Sequence, residues 1–298
     1  MTDDPLQDEA GRRTMRDRAS SARSRGIALR RDLEARRAEH DSVETAFCWV
    51  QRDKDIAGGV LGGGLAYRFF FWVLALTVLL TGGLGLASAS GANVAGSSRD
   101  AGVTKGLAAI IANAAEQSES TRWWLLVSGL VLYLWFSYGL LRALHLVHAA
   151  AWRIPPPPLR HLPRAVGFVV AAPFVLLGAA GTAGWIRAHT ANPIGLVATL
   201  AVAVAFGAVW LWVSLYLPSK EVPWTAFVPG AILFGLGLEV LHVFTAYFLE
   251  TKLANASELY GVLGLATTAL FYLFLIGRGV VWAAELNATV WEVRARRK

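Results

Sequence analysis

Cysteine is almost missing from this chain. Cys48 is the only one in 298 residues, so neither an intrachain disulfide nor a cysteine-rich metal site can be built. Charge is scarce too: Asp, Glu, Lys and Arg make up 16% of the residues, against roughly 25% in an ordinary soluble domain. No charge falls between Arg68 and Arg99, and further charge-free runs are Trp123–Leu141, Ala165–Ile186, Ala188–Ser219, Val222–Leu238 and Leu259–Gly277. No Walker A motif is present, so the chain does not by itself drive transport with ATP. The six histidines (His40, His145, His148, His161, His189 and His242) form no HxHxDH-like run, which leaves a metal-dependent nuclease without its ligands. The sequence is therefore read as non-enzymatic, with no cofactor and no metal.

What is present is hydrophobic length. Hydrophobic residues are 55% of the chain, and a helix needs roughly 20 of them to cross about 30 Å of hydrocarbon. Six segments qualify, at about 57–85, 123–150, 165–188, 194–217, 224–249 and 260–286. The fold class is all-α: a polytopic membrane protein with six transmembrane helices and a short interfacial helix before them. Residues 1–40, rich in Arg, Ala, Asp and Glu, have too few large apolar side chains to offset their ordering entropy. They are read as a disordered or loosely helical cytoplasmic tail. Residues 41–292 form the membrane domain and 293–298 a basic tail. Within 41–55, Val43, Ala46, Phe47 and Val50 keep helical spacing, which predicts a helix lying on the membrane surface. Asp53 and Asp55 then sit where the dipole of the first span favours acids.

Orientation follows from the cations. With the N-terminus inside, the inner segments hold 20 Lys and Arg and the outer ones five (Arg99, Lys105, Arg122, Arg187 and Lys252). That bias places both termini in the cytoplasm. The Arg-rich N-terminal segment has no apolar stretch of its own, so the first span is expected to serve as an uncleaved insertion signal. The net charge of +7 has its first meaning in this topology; no nucleic-acid partner is expected. Anionic phospholipid head groups beside the tail are.

Four stretches carry a family resemblance. They are Gly64-Leu65-Ala66-Tyr67-Arg68-Phe69-Phe70-Phe71-Trp72; Val222-Pro223-Trp224 through Pro229-Gly230-Ala231; Tyr260-Gly261-Val262-Leu263-Gly264; and Ala283-Ala284-Glu285-Leu286-Asn287-Ala288. In this order they resemble the YihY/BrkB family of bacterial inner-membrane proteins, historically also labelled ribonuclease BN-like. Two departures stand out: Ala75 where the family often has a proline in span one, and Ala283 where it often has glycine. The resemblance implies a six-helix inner-membrane protein. It brings no settled activity, since members have been described as nucleases, virulence or serum-resistance factors, transporters and lipid exporters.

Ionisable residues inside a membrane are costly and therefore candidates for function. Arg68, Arg142, His145, Glu239, His242, Arg278 and Glu285 are the candidate substrate-binding set. Arg142 with His145, and Glu239 with His242, are three apart and share a helix face. Three arginines against two glutamates would make a shared cavity positive and suited to an anion. The competing reading is that Arg–Glu pairs, Arg68 with Glu239 for example, lock helices together. His148 is read as interfacial. Gly58, Gly62 and Gly59, Gly63 form two GxxxG pairs suited to close packing, and Pro173 and Pro229 are expected to kink spans three and five. The function read from all this is transport or lipid translocation of an anionic or amphipathic substrate. The alternative is a non-transporting scaffold whose basic tail binds a partner or anionic lipid.

Overall fold

The computed structural model describes residues 41–90, 120–156, 192–244 and 250–296, with isolated positions 167, 171 and 178. Among them every regular element is a helix: α1 (Asp41–Asp55), α2 (Gly58–Ala89), α3 (Arg122–Trp152), α4 (Asn192–Tyr216), a 3-10 turn (Trp224–Phe227), α5 (Val228–Phe244) and α6 (Glu250–Arg296). Four stretches are long and apolar enough to cross a membrane: Gly58–Ala89, Arg122–Trp152, Trp224–Leu241 and Ala266–Arg296. This is an integral membrane protein. The expected fourth span corresponds to α4, whose stretch Leu200–Tyr216 is apolar but shorter. The expected third span, the tail 1–40 and most of the loop 86–122 lie outside the described residues.

Small residues set the packing. In hydrocarbon helices associate through close van der Waals contact, and a missing Cβ lets backbones approach. A Cβ on Gly129 of α3 would stand 2.7 Å from the backbone of Leu79 in α2, and one on Gly82 would stand 2.7 Å from Leu126. With Trp72 donating to Ser137 at 2.9 Å, these pairs fix α2 antiparallel to α3. Gly207 and Gly235 do the same for α4 and α5, meeting Ala231 O and Ala203 O. α6 reaches four other helices, and Val280, Val281, Ala283 and Ala284 on it are wholly buried in the main core. At one end a second cluster joins Trp152, Ala226, Phe227 and Ala288. α1 sits at this same end.

α2 runs unbroken through Ala75, which is 2% exposed in the core; with no proline there, the helix keeps its ladder, in line with the departure from the family pattern at this position. Other expectations change. Pro229 does not kink a span. It lies in the first turn of α5, directly after the 3-10 turn, where its missing N–H is no loss. Of the two GxxxG pairs only Gly58 and Gly62 are packed; Gly59, Gly63 and Gly64 face open space. Span six is part of a 47-residue helix, roughly 70 Å long at 1.5 Å per residue, so it extends beyond any bilayer.

Candidate functional site

The charged residues divide into a buried cluster at the α1 end and an exposed pair at mid-helix. The cluster begins with a break in the chain. Ala57 takes a left-handed conformation (φ 52°), which separates α1 from α2. α1 then folds against α6. The face it presents is Trp49, Arg52 and Asp53, spaced i, i+3, i+4. The apolar positions expected to lie on the membrane fare differently: Ala46 is exposed, Val50 is 55% exposed, and Val43 and Phe47 are half-buried. Trp49 meets Trp282 edge to face, with centroids 6.3 Å apart. Arg52, only 4% exposed, donates to the Ala151 carbonyl and to Glu292. Lys220 reaches Glu292 from the other side at 3.0 Å.

Asp53 is held by Arg278, not by the helix dipole alone. The guanidinium meets both carboxylate oxygens, at 2.9 and 3.1 Å, and its Cζ lies 4.8 Å from the centre of the Trp282 ring. The glycines explain how this fits. A Cβ on Gly62 would stand 2.7 Å from Arg278 Cδ, and one on Gly58 would overlap Asp53 Oδ1. Asp55 likewise pairs with Arg153 at 2.8 Å, itself the left-handed residue that ends α3. Glu285 is fully buried beside this ion pair, near enough to the Asp53 carboxylate and the Arg278 and Arg52 guanidinium groups to feel their charge. Neither of its oxygens has a hydrogen bond.

Sequence reasoning passed over the neighbouring polar residues. Asn287 and Thr289 are 0% and 1% exposed, and Asn287 Oδ1 accepts the Gly230 N–H at 2.6 Å. His148 is not interfacial: it is wholly buried, with Nδ1 on the Leu144 carbonyl and its ring against Trp210. The available signal was its spacing from Leu141, Leu144 and Ala151, all of them buried.

Arg68 and Arg142 stand apart from this cluster. Both are exposed. The guanidinium of Arg68 lies over Gly139, where a Cβ would come within 2.8 Å of Nη1. Arg142 follows Gly139 by three residues and shares its helix face. Arg68 is ten residues past Gly58 and Arg142 ten residues before Trp152, so each is roughly 15 Å from its helix end. No carboxylate partner for either is seen among the described residues. Arg68 is therefore not on Glu239, which is buried on α5. His145, half-buried, turns Nδ1 to the Leu141 carbonyl at 2.9 Å. His242 lies in α5, its side chain outside the described set. The structure thus gathers Arg278 and Glu285 into one cluster and Arg68 and Arg142 into another place. Among the described residues no group of three His, Cys, Asp or Glu is arranged to hold a metal.

The family model described as "Virulence factor BrkB" matches residues 51–298, a stretch that contains every one of these elements except the first ten residues of α1. No curated protein and no solved structure matches the chain.

Proposed function

This chain belongs to the BrkB family, and from that premise we propose that it transports or translocates an anionic or amphipathic substrate across the bacterial inner membrane. The observation that carries this reading is the pair Arg68 and Arg142. Each guanidinium sits at membrane depth, exposed and without a carboxylate among the described residues. Leaving an arginine at a span centre costs roughly 2.5–3.5 kcal/mol on insertion scales. A passing phosphate or carboxylate offsets that cost through charge-assisted, bidentate hydrogen bonds. Arg278 has another role, since Asp53 already takes its fork, and the cluster around it joins α1 to the bundle.

The same reading includes six spans with both termini cytoplasmic. Trp152 at the end of α3 and Leu211 near the end of α4 pack into one cluster, so the two helices finish on the same side. On this reading α4 starts on the opposite side, and the proposed third span is the passage that joins it to α3. The apolar run Ala165–Ile186 suits that passage.

Purified full-length chain in liposomes tests the function. Translocation of a fluorescent anionic phospholipid, or uptake of a labelled organic anion, should fall at least tenfold in Arg68→Ala and Arg142→Ala. Lysine at either position should retain part of it, because charge persists while the fork is lost. Full activity with both arginines neutralised would end the proposal.

A further inference from the structure

The surface around Arg68 and Arg142 indicates from which medium a ligand reaches them. On α3 the positions Trp135, Gly139, Arg142 and Leu146 follow one another at i, i+4, i+7 and i+11, and so line one face. Trp135 is 75% exposed, Leu146 is 47% exposed, and Arg142 is exposed between them. Gly139 is the gap in this stripe, and the guanidinium of Arg68 lies over it from α2. Both arginines therefore share one stripe within about a helical turn, roughly 5 Å of rise. Beside them Phe71 of α2 stacks on Phe136 of α3, with centroids 5.3 Å apart, and meets Tyr67 edge to face at 4.8 Å. The seam between the two helices is packed with rings here, so the arginines stand on its outside.

Large apolar side chains exposed on a membrane-spanning helix suit hydrocarbon, not a water-filled passage. A free anion would have to shed its water and cross acyl chains to reach this stripe, which is very costly. A phospholipid already has its chains there, and only its head group has to move inward along the helices. Two guanidinium groups suit a phosphate diester, since each can donate a fork of N–H bonds. No carboxylate stands on either arginine among the described residues. An ammonium head group would thus meet repulsion at this place, whereas one whose sole charge is the phosphate would not.

We infer that the α2–α3 face is a lateral binding site for an anionic phospholipid, its phosphate on Arg68 and Arg142 at Gly139 and its acyl chains in the bilayer beside Trp135 and Leu146. This rests on the transport reading and narrows its substrate to a lipid that enters from the side. Gly139 has a part in the recognition, because it lets Arg68 reach over α3 and stand beside Arg142.

The full-length chain, reconstituted with phosphatidylglycerol or phosphatidylethanolamine carrying a photoactivatable group early in one acyl chain, tests the site. Labelling should favour phosphatidylglycerol several-fold and map to the stripe from Trp135 to Leu146. It should fall roughly tenfold in Arg68→Ala and in Arg142→Ala, the worth of one charge-assisted hydrogen bond. Excess soluble glycerol 3-phosphate should not compete. Gly139→Ala keeps both arginines and displaces only the flexible tip of Arg68, so it should fold normally and still lose most of the labelling. Arginines that merely snorkel to the surface would be indifferent to that change. Undiminished labelling in Gly139→Ala overturns the site, as does equal labelling by the two lipids or competition by glycerol 3-phosphate. Arginine-dependent uptake of a soluble anion, with the stripe unlabelled, would strike the lateral site and keep the transport reading. Labelling as expected without any translocation would remove the transport reading and leave the lipid site standing.

Discussion

Asn287 on α6 caps α5 from across the helix interface: its Oδ1 accepts the N–H of Gly230 at 2.6 Å. The first N–H groups of a helix have no intrahelical acceptor, and here a neighbouring span provides one. Gly230 allows the approach, since a Cβ there would stand 2.3 Å from Ala283 O and 2.6 Å from the Asn287 amide. Two stretches far apart in sequence, Pro229-Gly230-Ala231 and Ala283 through Ala288, thus meet as one contact. Gly230→Ala should force the helices apart and cost at least the ~1–3 kcal/mol typical of overpacking. Thermal unfolding in detergent should show a clear drop. Asn287→Ala should cost a comparable amount, about 1–3 kcal/mol for a buried N–H left unpaired.

Helix α2 makes a sharper comparison possible. Gly62 and Gly63 are adjacent and chemically identical, yet only Gly62 is packed, against Arg278. Gly62→Leu should destabilise the fold and loosen α1. Gly63→Leu should leave thermal stability within about 0.5 kcal/mol, as substitutions away from packed features usually do. Equal losses in both would mean that this stripe packs against something else.

The Asp53–Arg278 pair should behave as a lock. Arg278→Ala removes the cation from two carboxylates, and breaking a buried pair typically costs about 3–5 kcal/mol. The side chains retain 12% and 28% exposure, so the low end is expected. Asp53→Asn in the same chain should recover part of the loss, and a double-mutant cycle measures the coupling. Additive losses would show that the two residues act independently.

Much of this architecture was legible in advance because bilayer thickness imposes it. Charge-free runs located α2 and α3 to within a few residues, since a span must be long and apolar. The α1 surface was not legible. Its docking face is Trp49, Arg52 and Asp53, and an apolar-periodicity argument discounts charged positions, whereas here the partners Arg278 and Glu292 lie more than 220 residues away. Ranking by membrane depth put Arg68 and Arg278 in one class. Only three-dimensional placement separates them, one over Gly139 and the other on Asp53. Asn287 was read only as part of the Ala283-to-Ala288 stretch, because an amide in a sequence carries no sign of its burial or its partner.

The sidedness of the α1 end can be measured directly, and Cys48 makes that possible without altering the chain. Its thiol donates to Glu44 at 3.2 Å and is half-buried, so labelling will be slow but not blocked. Under the positive-inside assignment, a membrane-impermeant maleimide should modify it in inside-out vesicles and leave it untouched in intact cells. In a Cys48→Ser background, a cysteine at Asn192 tests the passage between α3 and α4. Asn192 begins α4, whose far end packs beside Trp152, so a cysteine there should label only in intact cells. Labelling of both positions from one side would mean that residues 157–191 do not cross, leaving an odd number of spans and the C-terminal end of α6 opposite α1. That last outcome contradicts the contact of Arg52 with Glu292, which requires the two ends to share a side. The six-span arrangement with α1 inside therefore stands or falls on these two cysteines.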